Sequence, residues 1–159
     1  MDQLTLSNAT IRALVLAASS SDDESEVFCL WNCVLPLVGL DVPHGYSITA
    51  EKRLDNRGKK SSRADLIVRV ILSGVIVMIV ECKSIAHDNL IDWNTTEEQL
   101  NEYLQKAHCR NGVIAIGHKC KFYHISDRFV PHEREYDWIR DFPDIIERLV
   151  SFTRTLSFQ

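Results

Sequence analysis

The chain has 159 residues, a length suited to one domain with one hydrophobic core. Its 45% hydrophobic and 25% charged residues are those of a soluble globular protein, and no apolar run approaches the length that spans a bilayer. A net charge of −4 argues against tight, indiscriminate binding to DNA by charge alone, though not against a site where a bound metal supplies local positive charge.

The start, Met1-Asp2-Gln3-Leu4, has no basic stretch, so a signal peptide is not expected. Residues 4–18 are mostly apolar at helical spacing and predict a first helix. Ser19-Ser20-Ser21-Asp22-Asp23 is a polar break that caps a second helix over about 24–38. A first strand is expected over 46–54 and a second over 62–72. In the second, Ala64, Leu66, Val68 and Val70 share one face and Arg63, Asp65, Ile67 and Arg69 the other. Ser73-Gly74 turns the chain. Residues 75–83 are nearly all apolar, as in a central strand covered on both faces. Thr95-Thr96-Glu97-Glu98 fits a capping box for a third helix that runs to about Cys109. Strands are expected over 112–116 and 121–125, joined through Gly117-His118. Residues 128–140 read as polar and irregular. Pro143 opens a last helix over 144–156, with Ile145, Leu149 and Phe152 on one stripe. The expected order is α-α-β-β-β-α-β-β-α, in a mixed sheet with helices on both faces.

The chemistry is concentrated in the hairpin. Asp65 ends one strand and Glu81-Cys82-Lys83 ends the next. Charges at the end of so apolar a hairpin are costly unless something pairs them. Glu81 and Lys83 are two apart and share a face, while Cys82 points away. Phosphodiester hydrolysis needs oxygen ligands for a hard cation such as Mg²⁺ or Mn²⁺, and a cation beside the attacking water. Asp65 and Glu81 can be the ligands, with the carbonyl of Cys82 as a further one, and Lys83 the cation. A competing reading is a surface ion pair at a hairpin end. Geometry sets a condition: a two-residue Ser73-Gly74 loop would put Asp65 opposite Cys82, on the wrong face. An odd-length loop or a bulge would bring Asp65 to Glu81 and Lys83. Gln99 and Tyr103 follow at i, i+4 on one face of the next helix.

Gln99-Leu100-Asn101-Glu102-Tyr103 after Glu81-Cys82-Lys83 resembles the QxxxY motif of RecB-type PD-(D/E)xK nucleases and of the N-terminal nuclease domain of type I restriction enzyme R subunits. Ser25-Glu26-Val27-Phe28 leading to Val34-Leu35-Pro36-Leu37 is similar to that family's first core helix. Glu51 stands where the family often has an acid, and Gly112-Val113-Ile114-Ala115-Ile116-Gly117 with Lys121-Phe122-Tyr123 resembles its later strand pair. The resemblance spans about 24–150, with residues 1–20 as an extra helix. It implies a restriction-endonuclease-like αβββαβ core and a Mg²⁺-dependent DNA-cleaving site. Asp65, Glu81 and Lys83 would carry the catalytic roles and Gln99 would orient Lys83 or the water. Tyr103 would support phosphate or helix packing, and Glu26 would reach the metal through water. After Pro36 the helix ending is shorter than the family's, and the chain contains no GxxxxGK[ST] motor motif.

Other residues read more plainly. Arg57-Gly58-Lys59-Lys60-Ser61-Ser62-Arg63 is the one basic stretch, a solvated loop that could touch a phosphate backbone through Lys59, Lys60 and Arg63. The five cysteines read as reduced thiols in a cytosolic or nuclear protein. Cys29 and Cys33 read as core thiols. His108, Cys109, His118 and Cys120 are the best zinc candidates, at a spacing that fits no known finger. Trp31, Trp93 and Trp138 read as packing residues, with Trp93 placed where it could line a substrate groove. The expected partner is DNA, cut by a homodimer or by a subunit to which a separate motor or targeting protein delivers DNA. The alternative function is a nuclease-fold module that binds nucleic acid or a protein without cutting.

Overall fold

The computed structural model describes residues 3–54, 60–85, 91–125, 129–131 and 134–156, with side chains placed for all of these except 3–8, 51–54, 60–65 and 129–131. Helix α1 (Gln3–Ser20) buries Ile11, Val15 and Ala18, one stripe at helical spacing. Asp23 then caps α2 (Glu24–Leu37) by accepting the Ser25 N–H, as the polar break predicts. Val27, Leu30, Trp31 and Val34 form the buried stripe of α2. A single 3₁₀ turn (Val42–His44) leads to β1 (Tyr46–Leu54), β2 (Lys60–Val70) and β3 (Ile76–Lys83). Helix α3 (Trp93–Lys106) crosses to β4 (Asn111–Ile116), which turns tightly into β5 (Lys119–Ile125). Two short strands follow, β6 (Phe129–Pro131) and β7 (Tyr136–Asp137), and the chain closes with α4 (Phe142–Leu156).

The strands run in the order β1-β2-β3-β4-β5, and β6 and β7 share the far edge of β5. All neighbours are antiparallel except β3 and β4, which are parallel and joined through α3. This is an α/β fold with a mixed sheet, and β3 lies between the Asp65 strand and β4 as expected. One face packs α1, α2 and α4 over Leu66, Val68, Met78, Val80, Cys82, Val113 and Phe122. The other packs α3 over Ile79, Ile114, Ile116 and Tyr123. No helix among the described residues is long and apolar enough to cross a membrane.

Two expectations need correction. The cap of α3 is Asp92, which accepts the Thr95 N–H at 3.1 Å; the helix starts earlier than the capping-box residues suggest because Asp92 satisfies the free donor of the third helical residue. Residues 128–140 are not wholly irregular, since β6 and β7 extend the sheet there.

The β2–β3 hairpin has a parity problem and a bulge that solves it. Four residues, 71–74, make the turn, closed by Gly74 N–H to Val70 O at 2.8 Å and Val70 N–H to Val75 O at 2.9 Å. Arg69 faces Ile76, and regular continuation would set Asp65 opposite Val80, on the wrong face. Instead Val68 faces Met78, Val77 is left without a register partner, and Asp65 stands opposite Glu81. Val77 and Met78 accordingly both join the core on the α2 side, where strict alternation would separate them.

Candidate active site

Glu81 is fully buried, and Lys83 donates from Nζ to Glu81 Oε1 at 2.7 Å, its side chain 16% exposed. Residues two apart on a strand share a face, so the contact follows from local geometry. The second oxygen of Glu81, Oε2, is shut off from solvent and has no hydrogen-bond partner among the described residues. Asp65 is the direct cross-strand partner of Glu81, and Glu51 in turn faces Asp65. In backbone register, then, Glu51, Asp65 and Glu81 are successive partners across three strands.

Gln99 lies on α3, which packs on the sheet face of Glu81. Its Oε1 is also buried without a partner among the described residues. Tyr103, 8% exposed, sits in the α3-side core with Leu100, Leu104 and Ile79. The helix can lie close because β4 has Gly112 beneath it. A Cβ there would come 2.9 Å from Leu100 Cδ2 and 3.0 Å from Leu104 Cδ1. Gly117, with φ +56°, ends β4 and donates its N–H to Lys83 O at 3.0 Å, while Ile85 fills the space a side chain would need.

Other predicted residues are not brought together. Glu26 is on α2, whose stripe packs the sheet face opposite Glu81, and no described contact joins the two. The Cys82 side chain is buried on the α2 side, so only its backbone remains as a candidate ligand. Lys59 lies outside the described residues; Lys60 and Arg63 have a described backbone on β2, two and more residues before Asp65. The zinc candidates separate: Cys109 is in the α3-side core and Cys120 in the opposite one. Among the described residues no three His, Cys, Asp or Glu side chains group as a metal site. Cys29 and Cys33 are exposed, not core thiols, because they fall on the outer side of the α2 stripe.

Sequence reasoning missed a polar cluster beside α3. Tyr123 donates its hydroxyl to Glu97 Oε1 at 2.7 Å, Lys121 approaches the same oxygen at 3.7 Å, and Lys121 Nζ lies 4.5 Å from the centre of the Trp93 ring. Burial, reinforced by Glu97, raises the Tyr123 hydroxyl pKa well above its ordinary value. Lys121 also stands in the row of Glu81, one strand beyond Ile114. No local signal in the sequence links α3 to β5 in this way. A cavity of about 420 Å³ between α1 and the start of α4, lined by Ile11, Val15, Trp138 and Phe142 together with Arg12 and Arg140, is mostly apolar and belongs to the α2 side, away from these groups.

A hairpin that opposes two acid positions, carries a lysine two residues on, and leads through one helix to a parallel strand is a restriction-endonuclease-like α/β arrangement. The model of the family described as type I restriction enzyme R protein N terminus matches residues 44–143, more than half of the chain, and the chain belongs to that family. The match takes in Asp65, Glu81, Lys83, Gln99 and Tyr103 and leaves α1 and α2, with Glu26, outside it. No curated protein and no solved structure shows a significant match to the chain.

Proposed function

We propose that this chain is a divalent-metal-dependent nuclease of the PD-(D/E)xK type that hydrolyses phosphodiester bonds in DNA. The observation that supports it best is the state of Glu81. A fully buried carboxylate stands opposite Asp65, with one oxygen on Lys83 and the other without a partner among the described residues. An unsatisfied buried carboxylate oxygen is costly, and a hard cation is the partner such an oxygen suits.

Asp65, Glu81 and the carbonyl of Cys82 would hold Mg²⁺ or Mn²⁺. When bound, such an ion polarises the phosphate and lowers the pKa of a water. Lys83 supplies positive charge against the charge that develops on the phosphate, and Glu81 holds its ammonium in place. Gln99 offers an acceptor oxygen, without a partner among the described residues, to orient Lys83 or the attacking water. Tyr103 keeps α3 seated so that Gln99 stays aimed. Lys59, Lys60 and Arg63 contact the phosphate backbone, weakly and in a salt-sensitive way. Glu26 receives no role. Two copies of one site would cut both strands of a duplex, so a homodimer on DNA is part of the proposal, as is delivery by a separate motor or targeting protein.

The test is cleavage of plasmid DNA by the purified chain with Mg²⁺ or Mn²⁺, with and without EDTA. Cleavage should need the metal. Lys83→Ala should lower the rate roughly 100- to 1,000-fold, Glu81→Gln should abolish both cleavage and metal binding, and Gln99→Ala should cost less. A wild type inert on duplex, branched and single-stranded DNA and on RNA, with both metals, would leave the binding-module reading in its place. A monomer on DNA by light scattering would remove the homodimer alone.

A further inference from the structure

The Asp65–Glu81 pairing depends on one extra residue in β3, and something must hold that residue where it is. A bulge interrupts the ladder locally, and a buried carbonyl there needs a partner. The partner is a side chain. Asn111, 3% exposed at the start of β4, donates from Nδ2 to the Val77 carbonyl at 3.2 Å. Its amide is itself oriented: His124, the register partner of Asn111 on β5, has Nδ1 at 2.8 Å from Asn111 Oδ1. With Nδ2 committed to a carbonyl, Oδ1 must accept, so His124 carries its proton on Nδ1. A line of hydrogen bonds thus runs from β5 through β4 to the bulge in β3.

We propose that Asn111 is a positioning residue that pins the extra residue of β3 at Val77 and so sets Glu81, and not Val80, opposite Asp65. Without it the bulge is free to migrate along β3. The hydrophobic cores still hold the strands in the sheet, but the acids lose their single arrangement. The proposal deepens the nuclease reading and rests on Asp65 and Glu81 being its site. Its structural half stands apart from activity.

Asn111→Asp keeps the shape and the His124 contact, removes the donor to Val77 and sets a carboxylate oxygen against that carbonyl, which drives the two apart. The full chain is compared by NMR and by Mn²⁺ titration. Expected are native-like far-UV circular dichroism, loss of the cross-strand NOEs Val68–Met78 and Asp65–Glu81, and Mn²⁺ affinity lowered roughly 10- to 100-fold. Deletion of Val77 supplies the rescue. It joins the Arg69–Ile76 pair directly to Val68–Met78 and leaves Asp65 opposite Glu81 without any bulge. Asn111→Asp combined with that deletion should therefore regain the Asp65–Glu81 NOEs, which a general loss of stability would not allow. Intact NOEs in a folded Asn111→Asp protein, or no rescue by the deletion, would overturn the proposal. Should Asn111→Asp fold only on the deletion background, the proposal holds; failure to fold on both backgrounds means Asn111 acts elsewhere. If the wild type binds no Mn²⁺, the nuclease reading falls, while the NOEs still decide the role of Asn111.

Discussion

At the scale of single residues, the tightest constraint is the 2.7 Å contact between Lys83 and a Glu81 that water does not reach. Removing one partner of such a pair strands the other. Lys83→Met should therefore cost about 3–5 kcal/mol in urea denaturation. The double variant Glu81→Gln with Lys83→Met should recover most of that, because neither member of the pair is then left as a buried charge. A double-variant loss equal to the sum of the two single losses would show that the two side chains are not coupled. Thiols give a second residue-scale expectation. Cys82, Cys109 and Cys120 are buried, and burial pushes the Cys109 thiol up to about 11 and Cys120 well above its ordinary value. Thiolate is the reactive form. Near pH 8, alkylation of the native chain should stop at the two exposed cysteines, Cys29 and Cys33, and reach all five only in denaturant. Rapid labelling of a third would contradict the described core.

At the scale of elements, α3 is seated by an absence of side chain. Gly112→Ala would drive a methyl into Leu100 and Leu104, whose flexible ends must yield. The expected loss is about 1–3 kcal/mol by thermal denaturation, with cleavage falling further than stability because Gln99 moves with the helix. A stability loss with unchanged turnover would detach Gln99 from catalysis. Elements also show where sequence reading reaches its limit. The strands with strong alternation or long apolar runs, β2 and β3, are legible, and so is their demand for an odd loop or a bulge. The place of the bulge is not, because it depends on Asn111, far along the chain. Asp92 escapes as a cap because Thr95 and Thr96 present the same signal three residues later. The strands β6 and β7 span only three and two residues, too short for any period. Strand alternation makes the side taken by Cys82 legible, whereas the exposure of Cys29 and Cys33 and the separation of Cys109 from Cys120 follow from how the elements pack.

At the scale of the whole molecule, the sheet divides labour between its faces. The α2 side carries the larger core, with Trp31 and Trp138 edge to face at 5.5 Å. The α3 side carries Glu81, Lys83 and Gln99 with a smaller apolar set. The lone parallel junction has a further consequence, in time and not in space. The strands β1, β2 and β3 form a meander, and β4 and β5 form a hairpin through two residues; each unit closes over short separations in sequence. The seam between β3 and β4 closes only after α3 has crossed over, a longer and slower loop to close. Glu81 sits on that seam, paired to Asp65 within one unit and to Ile114 across the join. Maturation of the acid site should then be among the last events of folding. In refolding followed by pulsed hydrogen exchange, amides within each unit should gain protection before those bridging β3 and β4, and nuclease activity should appear with the latter. Under the proposed function, a nascent chain would thus be harmless to nucleic acid until its two halves have joined.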